Sequence, residues 1–114
     1  MIFDTHAHYD DRAFDEDREE LLGQLKEAGI ERVVNVGASI HSSQTTLELI
    51  GKHDFMYGAI GVHPSETEEL NEEWIKWLEE KSRDEKVVAI GEIGLDYHWE
   101  EPARELQKYW FVRQ

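Results

Sequence analysis

One alternation constrains this chain more than any other feature: a short apolar run suited to a strand is followed by a stretch with helical spacing, four times over. Ile2-Phe3 opens the first run, which continues into Thr5-His6-Ala7-His8. Arg32-Val33-Val34-Asn35-Val36, then Met56 to Ile60, then Val87-Val88-Ala89-Ile90 supply the other three, and the last reads as the cleanest buried strand. Leu21, Leu22, Leu25 and Ala28 share a helical face after the first run, with Asp15 as the predicted N-cap and Gly29 as the stop. A second helix is predicted from about Ser42, with Leu47 and Ile50 on one side. A third carries Trp74, Trp77 and Leu78 behind an Asn71 cap. A fourth takes Pro102 in its first turn and sets Leu106, Tyr109 and Trp110 along a stripe. Strands and helices alternating at spacings of roughly 25 residues predict right-handed βαβ crossovers and a parallel sheet covered on both faces, which is the α/β class.

Composition narrows what such a chain can do. At 114 residues and 39% hydrophobic, it is one small domain at most and too apolar for a disordered acidic tail. No apolar run approaches the ~18 residues of a membrane span, and Met1-Ile2-Phe3-Asp4 lacks the positive flank of a signal peptide. The expectation is therefore a soluble, unexported, cytoplasmic protein with no membrane partner. There is no cysteine, so any metal must be held by His, carboxylate or water. With 26 acidic against 12 basic residues the net charge is −14, which argues against a surface that simply neutralises nucleic-acid phosphates. Acids concentrate in Asp10 to Glu20 and Glu66 to Glu80, seven in each, and read as solvated helix starts and loops. Glycine-rich phosphate loops and Gly-x-Ser-x-Gly elbows are both lacking.

Four residues stand where chemistry gathers in parallel α/β proteins, at the carboxyl ends of strands. His6 and His8 are two apart at the end of the first strand, so period-two alternation turns both imidazoles to one face, where one cation can take both. They read equally as ordinary polar residues at a strand terminus. Asp4 lies on the same alternation, either orienting an imidazole or making structural hydrogen bonds. Glu92 follows the fourth strand between Gly91 and Gly94; a carboxylate there calls for a balancing charge such as a metal, or else caps the next turn. His63, in Gly61-Val62-His63-Pro64, faces the same rim, as a hydrogen-bonded loop residue or as a substrate contact. His41, His53 and His98 have no supporting pattern.

Phe3-Asp4-Thr5-His6-Ala7-His8, Gly61-Val62-His63-Pro64 and the run from Ala89 to Tyr97 together resemble the TatD family of metal-dependent deoxyribonucleases in the amidohydrolase superfamily, and Gln107, Phe111 and Gln114 fit the helix after the fourth strand. The resemblance implies a TIM-type (β/α)8 barrel of which residues 1–114 are the first four βα units, the N-terminal half. It implies one or two divalent cations (Zn²⁺, Mn²⁺ or Mg²⁺) held by His6, His8 and Glu92, with Glu92 as the catalytic, bridging carboxylate and His63 beside a substrate phosphate. DNA is the implied substrate. A full barrel needs about 250 residues, so the expectation is a truncated chain without the ligands that the family takes from later strands. Two other readings stay open: a metal-dependent hydrolase of small esters or amides, and a non-catalytic half-barrel that self-associates through its open edge.

Overall fold

Four strands lie side by side in chain order, all parallel, in a single sheet. The computed structural model describes residues 1–114. Strand β1 (Ile2–Ala7) is followed by helix α1 (Arg18–Gln24), β2 (Ile30–Val36), α2 (Ile40–Lys52), β3 (Met56–Ile60), α3 (Glu72–Lys81), β4 (Val87–Ile90) and α4 (Arg104–Arg113). Short 3-10 turns occupy Arg12–Phe14 and Pro64–Glu69. The Gly91–Glu92 and Glu101–Pro102 peptide bonds are cis.

Alternation along the strands divides the core. Val33 and Met56 point to the helix side, where they pack against Leu22, Leu25, Leu49 and Ile50 with almost no exposure. Ile60 continues that layer into a second cluster with Val62, Ile75, Leu78 and Trp110 under α3 and α4. Val34, Val36 and Ala59 take the opposite face and line a cleft there. Burying an aliphatic side chain contributes about 1.5–3 kcal/mol, so the helix-side layer holds the sheet together.

The helix ends are satisfied one by one. Ser39 and Ser42 form a reciprocal capping box on α2, and Glu69 Oε1 accepts from the Ile40 N–H at 2.7 Å. Lys86 Nζ, from the approach to β4, donates to the C=O groups of Ile50 and His53 and so closes the other end of α2. Asn71 caps α3, as its sequence position predicts.

Several expectations need correction. Helix α1 begins at Arg18 behind Asp17, because Asp15 instead follows the 3-10 turn and accepts from Arg18 Nη2 at 2.7 Å. It ends at Gln24, and turns carry the chain to Gly29, whose φ of 91° suits the residue that closes the segment. Helix α2 starts two residues before Ser42, which serves in its cap. Pro102 precedes α4 and lies outside its first turn, and Tyr109 is 52% exposed with its hydroxyl on Glu72. Strand β4 is not buried: Val88 is 54% exposed, since β4 is an edge and no layer covers its cleft side. The opposite edge, β1, is equally unpaired and exposes Ile2 and Phe3.

Candidate metal centre

Because all four strands run the same way, their carboxyl ends form one rim, and the three predicted ligands meet there. His6 Nε2 lies 3.2 Å from His8 Nε2 and 3.1 Å from Glu92 Oε1. One donor atom from each of His6, His8 and Glu92 falls within 4.8 Å of the others. Metal–ligand bonds of about 2.0–2.1 Å at tetrahedral to octahedral angles set neighbouring ligand atoms about 2.8–3.4 Å apart, and the two short separations fall in that interval. Two imidazoles and a carboxylate suit Zn²⁺ and Mn²⁺, with oxygen donors also serving Mg²⁺. His6 is half exposed and Glu92 is 30% exposed at its side chain, so the centre opens to solvent.

Each candidate ligand is held by a different part of the sheet. His8 Nδ1 is 2.9 Å from the Val36 C=O. A carbonyl only accepts, so Nδ1 carries the proton and Nε2 presents its lone pair toward His6. The His6 N–H donates to Asp4 Oδ1 at 3.2 Å, which holds His6 through its own strand. Asp4 therefore makes a structural bond to backbone and no hydrogen bond to either ring. A register irregularity between Asp4 and Ala7 turns both Thr5 and His6 to the cleft, where strict alternation would have parted them. Burial, reinforced by the charge of Asp4, holds the Tyr9 phenol above its ordinary pKa. The Glu92 N–H donates to the Gly37 C=O at 2.5 Å, and the Gly91 N–H to the Ile60 C=O at 2.9 Å, so β2 and β3 both anchor the turn that carries the carboxylate. Gly61 permits this approach: a Cβ there would lie 3.0 Å from Gly91 N.

His63 borders the same cleft of about 570 Å³, with Thr5, His6, Glu92 and Asp96. Its Nδ1 accepts from the Ser65 N–H at 3.1 Å, so in the neutral ring Nε2 bears the proton and is a donor. Gln114 fixes the preceding residue through both its amide atoms, to Val62 N at 2.8 Å and Val62 O at 3.1 Å. Gln107, buried, accepts from Asp96 N and donates to the Pro102 C=O, which ties the segment beyond Glu92 to α4. His41, His53 and His98 stay outside the centre. His41 lines a separate cleft beside α2, His53 Nε2 sits 3.1 Å from Glu19 without an aligned hydrogen bond, and His98 packs edge-on against Trp99.

Sequence reading passed over two buried polar residues behind the rim. Ser43, fully buried on α2, donates its hydroxyl to the Gly61 C=O at 3.0 Å and accepts from the Gly61 N–H at 3.1 Å. Asn35, fully buried in β2, bonds Tyr9, Asp10 and Thr46. The available signal was a lone amide inside the β-branched run Val33 to Val36.

Four parallel βα units with imidazole and carboxylate donors gathered at their carboxyl rim define the class: a segment of a TIM-type α/β barrel whose rim carries a donor set that could hold a metal ion. The chain belongs to the TatD related DNase family, whose model matches residues 3–114. It is 44% identical over 114 residues to the uncharacterized metal-dependent hydrolase YabD of Bacillus subtilis, covering 100% of this chain and 45% of that protein. It is 31% identical over 114 residues to the 3'-5' ssDNA/RNA exonuclease TatD of Pantoea ananatis, covering 99% of this chain and 44% of the relative. The crystal structure of YjjV, a TatD homolog from Escherichia coli K12, superposes with a TM-score of 0.87 at 30% identity over 98% of this chain and 44% of that one. The chain thus spans about half the length of the relatives it matches. No helix is long and apolar enough to cross a membrane.

Proposed function

We propose that residues 1–114 form the first four βα units of a TatD-like barrel and contribute the His6, His8 and Glu92 side of a metal-dependent site that hydrolyses phosphodiester bonds in DNA. The observation that carries this reading is the convergence of those three donor atoms within 4.8 Å of one another. A divalent cation bound there would supply Lewis acidity at a phosphoryl oxygen and an acidified water as nucleophile. The chain's own part is positional. His8 offers Nε2 in a fixed tautomer, His6 meets it from β1, and Glu92 brings two oxygens, enough to join two ions. His63 Nε2–H is a neutral donor for a phosphate oxygen. A net charge of −14 repels a polyanion over most of the surface, which makes the cation-bearing rim the place to receive it. The exonuclease names carried by relatives such as the Pantoea protein favour nucleic acid over a small ester as substrate.

The chain equilibrated with Zn²⁺, Mn²⁺ or Mg²⁺ and then desalted is expected to retain metal, and His6→Ala to lose it. Cleavage of a fluorescent single-stranded DNA should stop with EDTA, while a p-nitrophenyl ester should be a poor substrate in parallel. Absence of metal uptake, or DNA cleavage indifferent to EDTA, refutes the proposal. A second reading draws on the two unpaired edges, which expose Phe3 at 55% and Val88 at 54%: copies of the chain associate through them. Sedimentation velocity should then show a concentration-dependent dimer, and a monomer at every concentration would exclude it.

A further inference from the structure

We propose that Asn35 is a positioning residue for His8, setting the imidazole by holding the peptide that follows it. Only the consequence for cation affinity rests on the metal reading above; the positioning itself does not.

Strand β1 ends at Ala7, whose partner across the ladder is Asn35. Beyond that point no strand pairing holds the chain, yet the next residue carries a ligand. The Asn35 side chain extends the ladder by one rung: its Oδ1 accepts from the Tyr9 N–H at 2.7 Å. Its Nδ2 donates to Asp10 Oδ1 at 2.9 Å and to Thr46 Oγ1 at 2.8 Å. An ionised Asp10 only accepts, so the amide nitrogen must face it and the amide oxygen must face Tyr9. The orientation of Asn35 is thereby fixed by chemistry; its side chain has no exposure to water, with the bond to Thr46 fully buried and those to Tyr9 and Asp10 partly so. Val36, the next residue, takes His8 Nδ1 on its C=O. Two consecutive residues of β2 therefore grip Ala7, His8 and Tyr9 in turn, whereas His6 is held by Asp4 of its own strand. Arg18 steadies the same loop from outside, with Nε on the Tyr9 C=O at 2.6 Å and Nη2 on that of Asp11 at 2.8 Å. If Oδ1 of Asn35 is removed, the Tyr9 peptide loses its inner anchor and the His8 ring its fixed distance to Val36. His6 and His63 keep theirs.

Two measurements test this. Long-range proton–nitrogen correlation of the imidazoles, in the metal-free chain at a pH where they are neutral, reads each tautomer; zinc titration against a competing chelator reads affinity. The wild type should show His8 in the Nδ1–H form. Asn35→Ala should mix the His8 tautomers, leave His63 unchanged, and weaken zinc binding about 10–100-fold, the usual effect of removing a group that orients a ligand. Thr46→Val takes away a different bond of Asn35, and should leave both readouts as in the wild type even where it lowers Tm. Asn35→Ser, whose hydroxyl is too short to reach Tyr9, replaces Asn35→Ala should the latter fail to fold. The proposal is overturned if the Asn35 variant keeps a single His8 tautomer, or if Thr46→Val moves both readouts as far as Asn35→Ala does. A wild type that fixes the His8 tautomer but takes up no zinc would end the metal reading, while the tautomer comparison still decides the role of Asn35.

Discussion

The hydroxyl of Ser43 is the only partner of both backbone groups of Gly61, which lies past the end of β3 and makes no backbone hydrogen bond of its own. Ser43→Ala keeps the Cβ and the helix and deletes that one atom, leaving a donor and an acceptor orphaned where Ser43 itself has no exposure. An unsatisfied buried polar group costs about 1–3 kcal/mol; with partial relaxation, the pair should cost about 2–4 kcal/mol. Against an m-value of about 2 kcal/mol/M in urea, the midpoint should fall by about 1–2 M at unchanged slope. Ser82→Ala is the matched control, because its hydroxyl donates to the Glu79 C=O at an exposed helix end, and it should stay within about 0.5 kcal/mol of wild type. The assay is urea denaturation followed by tryptophan fluorescence. A Ser43→Ala midpoint indistinguishable from that of Ser82→Ala would show that Gly61 finds other partners and that Ser43 does not hold this end of β3.

Gly61→Ala should push β4 away from β3, since the new Cβ would meet Gly91 N and Ile93 Cγ2, each at 3.0 Å. We expect a loss of about 1–3 kcal/mol and, as Glu92 moves off His6, at least tenfold weaker zinc binding by calorimetry. Zinc at a hundred times its Kd should raise wild-type stability by about 2.7 kcal/mol; a thermal scan should show that gain abolished by EDTA and absent in His6→Ala. The hydrogen bond from Arg113 holds the Glu72 carboxyl below its ordinary value of 4.5. A depressed folded pKa contributes stability above the ordinary value that drains as pH falls through the folded one. Glu72→Gln should therefore lower Tm at neutral pH, with the gap closing as pH falls below 4.5 and through the lowered folded value.

Much of this architecture was legible because the strands announce themselves: Val33 to Val36 and Val87 to Ile90 are dense apolar runs, stopped by Gly37 and Gly91. The positions of His6, His8, His63 and Glu92 followed from strand ends alone, since a parallel sheet sends all of them to one rim. Burial of β4 was misjudged because an apolar run records a preference for cover and says nothing of whether a neighbour supplies it. The start of α1 was misplaced because Asp15 and Asp17 are equally able caps, and Arg18 chooses between them in three dimensions. Asn35 and Ser43 escaped for a related reason. Their partners come from loops and strands remote in the chain, so no local spacing marks them.

Strand order that copies chain order has a kinetic corollary. Each new strand docks on the one made just before it, so the sheet can zip from β1 toward β4 with only short loops to close. At a strand spacing of about 4.8 Å, the outer two would stand roughly 14 Å apart in a flat sheet, and His6 and Glu92 reach each other across the mouth above β2 and β3. If the rim binds a cation as proposed, high-affinity capture would await the arrival of the last strand, and ion uptake would then be a stopwatch for the completion of this sheet.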